Sequence, residues 1–104
     1  VWYYDYVVRK WGVLLDEVIV HPRVHERHPE VSVEDVLSAW KHAIRSAPRV
    51  DDSRTWVSVG VDVKGRLLEM VAVHNGRGDW LVYHAMTPPS KKTLKELSIA
   101  RRRS

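Results

Sequence analysis

The sequence predicts an α+β domain built on an antiparallel sheet. Two observations carry that expectation: an apolar alternation punctuated by glycine turns over residues 55–86, and a serine-capped helical stripe just before it. At 104 residues and 12.1 kDa the chain has one domain's length, residues 1–104, enough to bury a real core without a staple. The absence of cysteine excludes disulfides, thiolate metal sites and a cysteine nucleophile, and favours an intracellular, cytoplasmic setting. No apolar run approaches the length of a membrane span and no signal-peptide pattern is present, so no membrane association is expected.

Residues 1–20 are rich in aromatic and β-branched types, split by Lys10-Trp11-Gly12, and read as one or two strands. Pro22 suits the first turn of a short helix, where its missing N–H is not needed, and Pro29 closes it. Ser32 then caps a second helix whose first turn carries Glu34 and Asp35 at the positive end of the dipole. Val33, Val36, Leu37, Trp40 and Ile44 recur at helical spacing as its buried stripe, and Ala47-Pro48 ends it. Residues 49–54 read as a polar loop.

A three-stranded meander follows. Val57, Val59, Val61 and Val63 alternate with Trp56, Ser58, Gly60 and Asp62, and Lys64-Gly65 fits the centre of a two-residue hairpin because glycine supplies positive φ. That turn pairs Asp62 with Leu67, Gly60 with Glu69 and Val59 with Met70. It sets the valines with Leu68, Met70 and Ala72 on a core face under the helices. The second turn lies in Asn75-Gly76-Arg77-Gly78; if Asn75 pairs with Gly78, Glu69 stands opposite His84, and Trp80 shares their outward face. A last helix starts after Thr87, with Pro88 or Pro89 in its first turn, and runs through Leu94 and Leu97.

The charge is only +4, but it is unevenly placed: residues 87–104 carry +5 and residues 1–86 carry −1. A basic C-terminal segment suits a phosphate backbone or an acidic partner chain, with Lys91 and Lys92 the better-placed cations and Arg101 to Arg103 a basic tail. Glu69 beside His84 pairs a carboxylate with an imidazole, the combination that orients a general acid or base. Trp80 and Tyr83 alternate on the third strand, so one of them faces outward. Trp80 is the expected base-stacking platform and Tyr83 the core residue. His21, His25 and His28 have the spacing of three imidazoles on one helical face; with no cysteine and only two turns to support them, they read as part of a polar, half-exposed helix with Val24 inward. No metal and no cofactor is expected.

The order helix, helix, three-stranded meander, helix is joined by three strings: Arg27-His28-Pro29-Glu30-Val31-Ser32-Val33-Glu34-Asp35-Val36, then Val57-Ser58-Val59-Gly60-Val61-Asp62 with Gly65-Arg66-Leu67-Leu68-Glu69, then Leu81-Val82-Tyr83-His84-Ala85-Met86. Together they resemble the BrnT-like toxins of bacterial type II toxin–antitoxin pairs, which have the RelE-like fold. The likeness covers residues 21–100. It implies a sheet with helices packed on one face and a small endoribonuclease that cleaves RNA without metal and is held inactive by a cognate antitoxin. Where the family commonly carries an arginine after the last strand and an arginine or tyrosine in the final helix, this chain has Thr87-Pro88-Pro89 and then Lys91, Lys92 and Leu94. Lysine neutralises a phosphate but lacks the bidentate fork of arginine.

The expected site is therefore Glu69, His84 and His28 as acid/base groups, Arg27, Lys91 and Lys92 as RNA-phosphate contacts, and Trp80 as the stacking surface. The alternative is a non-catalytic module that uses the same basic edge to bind nucleic acid or an acidic protein. The apolar run from Val13 to Val20 offers a strand edge on which an antitoxin or a second copy could pair, making a homodimer the oligomer to test.

Overall fold

A computed structural model describes residues 18–76 and 78–98. The proposed pairing edge from Val13 and the basic tail at Arg101 to Arg103 lie largely or wholly outside that range. The architecture is α+β, with a five-stranded mixed sheet in the order β1-β5-β4-β3-β2. The strands are β1 (Val18–Val20), β2 (Ala43–Arg49), β3 (Asp52–Val61), β4 (Leu67–His74) and β5 (Trp80–Met86); the helices are α1 (Arg23–Arg27), α2 (Val33–Lys41) and α3 (Lys91–Glu96). All neighbours are antiparallel except β1, which runs parallel to β5. Among the described residues no helix is long and apolar enough to cross a membrane.

The second helix begins as expected but ends early. Ser32 accepts from the Asp35 N–H while the Asp35 carboxylate accepts from the Ser32 N–H, a reciprocal capping box. The chain then leaves the helix at Lys41, and residues expected to continue it or to form a loop become edge strand β2. Two constraints favour this. Ala47 precedes a proline and is disfavoured in helical conformation, and β3 without β2 would leave its ladder groups unpaired. Pro48 is tolerated because β2 is the sheet's edge. Ser46 and Ser58 hydroxyls hydrogen-bond across the pair at 2.8 Å.

The buried face of α2 also differs from the expected stripe. Val33, Leu37 and Ile44 are 49%, 41% and 56% exposed, whereas Asp35, Val36 and Ala39 are fully buried. Ala39 faces inward because the helix backbone comes very close to β3. A Cβ added at Gly60 would lie 1.8 Å from the Ala39 carbonyl oxygen, so only glycine permits this approach.

The β3–β4 register is one residue away from the expected pairing, and the turn explains the difference. Asp62 rather than Val63 closes the hairpin. Its N–H donates to the Arg66 carbonyl, and its carbonyl accepts from the Gly65 N–H. The loop is thus Val63-Lys64-Gly65, three residues with Gly65 at φ 81°, which needs no Cβ. The buried Asp62 carboxylate fixes it further by accepting from the Lys64 and Arg66 backbone N–H groups and from Arg66 Nε at 2.7 Å. Gly60 consequently pairs with Leu68, Ser58 with Met70 and Val59 with Glu69.

That shift moves the valines of β3 to the other face and leaves β4 facing as expected. Leu68, Met70 and Ala72 lie under α1 and α2 with Val24, Val31, Val36, Ala39, Val82 and Ala85. Val57 and Val59 instead share the opposite face with Glu69, where Leu97, just beyond α3, covers them. Helices therefore occupy both faces, not one. The prolines Pro88 and Pro89 precede the α3 cap, Ser90, rather than lying in the helix.

Replacing Gly60 with alanine should force α2 away from the sheet, at a cost in the upper part of about 1–3 kcal/mol. Urea unfolding of Gly60→Ala checks this; an unchanged midpoint would show that α2 does not pack on β3 this closely.

Candidate functional site

Glu69 and His84 meet on the sheet face covered by α3. They are not directly opposite one another: Glu69 pairs with Met86 and His84 with Val71, so their side chains contact along the diagonal. His84 reaches this face through an irregularity in β5, where Tyr83 is an extra residue between the Val71–His84 and Ala72–Val82 pairs. Such a bulge lets two successive side chains leave the regular alternation. The second hairpin closes on Asn75 and Asp79 rather than on Gly78. The Asn75 N–H donates to the Asp79 carbonyl, and the two side chains are also hydrogen-bonded.

Glu69 is 6% exposed and fully engaged. One carboxylate oxygen accepts from His84 Nε2 at 2.8 Å, and the other accepts from the Ser90 N–H at 2.8 Å. Burial opposes its ionisation, but the bonds from His84, the Ser90 backbone and the Thr93 and Ser90 hydroxyls outweigh it and lower its pKa to about 2. An ionised carboxylate can only accept, so His84 Nε2 carries the hydrogen. The remaining nitrogen, Nδ1, is left as the atom that takes or gives a proton. The His84 side chain is 31% exposed and opens onto a cavity.

The cavity is about 350 Å³, within the range of small-ligand pockets. Glu69, Tyr83 and His84 come from the sheet, Arg23, Arg27 and His28 from α1 and its end, Arg49 from the end of β2, and Ser90, Lys92 and Thr93 from α3 and its cap. The His28 and His84 rings stand edge to face with centroids 6.1 Å apart. Four cationic side chains thus surround two imidazoles and one hidden carboxylate. The buried Nε atoms of Arg23 and Arg49 have no hydrogen-bond partner, although Arg49 Nε lies 3.8 Å from a Glu96 carboxylate oxygen. The four cationic side chains that line the cavity suit an anion with several acceptor oxygens, such as a phosphate.

Of the residues expected at the site, Glu69, His84, His28, Arg27 and Lys92 line this one cavity. Lys91 does not line it. Trp80 lies on the opposite face, where its ring packs against Trp40, Trp56 and His74 at 5.1, 5.7 and 4.4 Å. It cannot stack a base beside His84, and the bulge puts Tyr83 there instead. Arg23 could have been found from its i, i+4 spacing to Arg27 on α1. Arg49 and Tyr83 had no such local signal, since one depends on β2 and the other on the bulge.

The three closely spaced histidines do not converge. His21 Nδ1 accepts from the Arg23 N–H, His25 Nδ1 lies 2.9 Å from the Val31 carbonyl, and His28 faces Glu30 and His84. No group of three or more His, Asp or Glu side chains suited to holding a metal occurs among the described residues.

The depressed pKa of Glu69 makes its contribution to stability dependent on pH. It is fully present above the ordinary value of 4.5 and is lost as pH falls toward about 2, because the unfolded chain takes up the proton first. Acid unfolding of wild type should therefore show on the order of 2 kcal/mol of pH-dependent loss across that window that Glu69→Gln lacks. Coincident wild-type and variant curves would mean that the carboxylate is not held in this network.

No protein-family model, curated protein or solved structure matches this chain.

Proposed function

We propose that this chain is a BrnT-like toxin of the RelE-like fold, an endoribonuclease that cleaves RNA by acid/base chemistry without a metal. The observation that carries the reading is the His28–His84 pair, 6.1 Å between ring centroids, inside a cavity ringed by Arg23, Arg27, Arg49 and Lys92. At that separation both imidazoles can reach oxygens of one phosphoryl group. Transesterification of RNA needs a base for the 2′-hydroxyl, an acid for the departing 5′-oxygen and cations for the charge that builds on phosphorus.

His84 is the better placed base. Its Nε2–H is held by ionised Glu69, which fixes the ring and stabilises the imidazolium once Nδ1 has taken the 2′-hydroxyl proton. The 2′-oxygen then attacks phosphorus, the P–O5′ bond breaks, and His28 donates the proton that the 5′-oxygen acquires. The products are a 2′,3′-cyclic phosphate and a 5′-hydroxyl. Arg27 and Lys92, with Arg23 and Arg49, neutralise the phosphorane and hold the flanking backbone. A cognate antitoxin with an acidic segment would suppress activity by occupying the same cations, and the cytoplasm supplies the RNA.

The test is cleavage of a mixed-sequence RNA in EDTA by wild type, His84→Ala and His28→Ala, with analysis of the product ends. The proposal expects 2′,3′-cyclic phosphate ends and a loss of about 10²–10⁴-fold in turnover for each variant, the range of general acid/base contributions. RNA binding without cleavage would instead identify a non-catalytic binding module on the same basic surface.

A further inference from the structure

From the bulge in β5 we infer a nucleobase subsite at Tyr83, flanked by Arg23, beside the His28–His84 pair. The inference rests on the ribonuclease reading and names a specificity-determining contact for it. Regular alternation would put Tyr83 and His84 on opposite faces. Because Tyr83 is the extra residue between the Val71–His84 and Ala72–Val82 pairs, its ring lines the same cavity as the imidazole. Bulges beside active sites commonly redirect one side chain in this way. Here the side chain redirected is, among the described residues, the one aromatic ring in the cavity other than the two imidazoles.

The ring is suited to stacking. Tyr83 is half-buried and packs against the cluster of Val73 and Leu81, so the core holds it in place. The Arg23 guanidinium lies over it, 5.9 Å from the ring centroid. A tyrosine ring with a guanidinium within cation–π range pairs an aromatic surface with a cation, and both groups stack unpaired RNA bases. A base on Tyr83 would put its own phosphate toward His84 and the surrounding cations. The strand has a continuation as well. A neighbouring groove is lined by Arg49, Val50, Asp51, Lys92, Lys95 and Glu96, and it shares Arg49 and Lys92 with the first cavity. The carboxylates of Asp51 and Glu96 make that groove a weaker anion site than the cavity, so the base contact supplies much of the grip.

A base can lie on Tyr83 only when it is unstacked and unpaired. The subsite therefore predicts a preference for single strands that cations alone would not produce. The experiment compares one RNA sequence as a single strand and annealed to its complement, with wild type, Tyr83→Phe and Tyr83→Leu, reading both cleavage and anisotropy binding to a 2′-deoxy version that cannot be cut. The expected results are weaker duplex binding and cleavage, an increase of about tenfold in KM and in the binding constant for Tyr83→Leu, little change in kcat, and near-wild-type behaviour for Tyr83→Phe. Thermal melting of each variant separates lost stacking from lost folding. Equal use of duplex and single strand, or a folded Tyr83→Leu with unchanged KM and binding, would overturn the subsite. Tyr83-dependent binding by a wild type that cuts no RNA would support the subsite and remove the ribonuclease reading.

Discussion

The Asp62 turn is the constraint on which the arrangement of this molecule depends. Its buried carboxylate collects the Lys64 and Arg66 backbone N–H groups and the Arg66 side chain, and so closes the hairpin around three loop residues instead of two. One residue of register decides which face every side chain of β3 and β4 occupies. With this loop, Val57 and Val59 leave the face of Leu68 and Met70 and join Glu69 on the side of α3. Arg66 then extends the same network across the layers. Its NH2 group donates to the Asp35 carboxylate and to the Glu30 carbonyl, so the turn that sets the register also anchors the start of α2. The pairing of Arg66 with two buried carboxylates is costly to desolvate, and backbone N–H groups offset part of that cost on both aspartates, although Asp35 Oδ1 is buried with no partner among the described residues.

Glu69 plays the corresponding part at the site. Its carboxylate joins β4 to β5 through His84 and to α3 through Ser90, so three elements converge on one buried charge. Four hydrogen-bonding groups keep it ionised despite burial, and its lone pairs are occupied before any ligand arrives. It is consequently a poor proton acceptor and a good orienting group. The imidazole it holds presents its other nitrogen to a cavity whose remaining charge is positive.

The cations of that cavity come from parts of the chain far apart in sequence: Arg23 and Arg27 from α1, Arg49 from β2 and Lys92 from α3. The concentration of positive charge in residues 87–104 thus describes the site incompletely. Three of its four cations lie in the segment whose formal charge is −1, because acidic residues there are committed elsewhere, Asp35 and Asp62 to Arg66 and Asp52 to Thr55, while Glu69 lines the cavity but is taken up by His84 and Ser90. Net charge along a sequence and potential in a cavity differ for this reason.

What the sequence by itself determined were the features governed by neighbours in the chain. Ser32 and Asp35 form their capping box within one helical turn, Pro22 opens α1, Val24 faces inward, and the valine alternation of β3 ahead of a glycine turn announces an α+β fold. The nearness of Glu69 to His84 was legible on the register that pairs Asn75 with Gly78, and it survives in the structure because the pairing there is displaced by two residues, which keeps both side chains on one face. Other features were decided by tertiary structure. Residues 43–49 had helical spacing but became a strand because β3 needed a partner on its open side. The face of Trp80 and the place of Tyr83 followed from a bulge one residue wide, and the contribution of Arg49 from the pairing of β2 with β3. Side chains in a sheet reverse sides at every residue, so a single insertion in the pairing changes which of them meet, and that choice is made by contacts between strands, not by either strand alone.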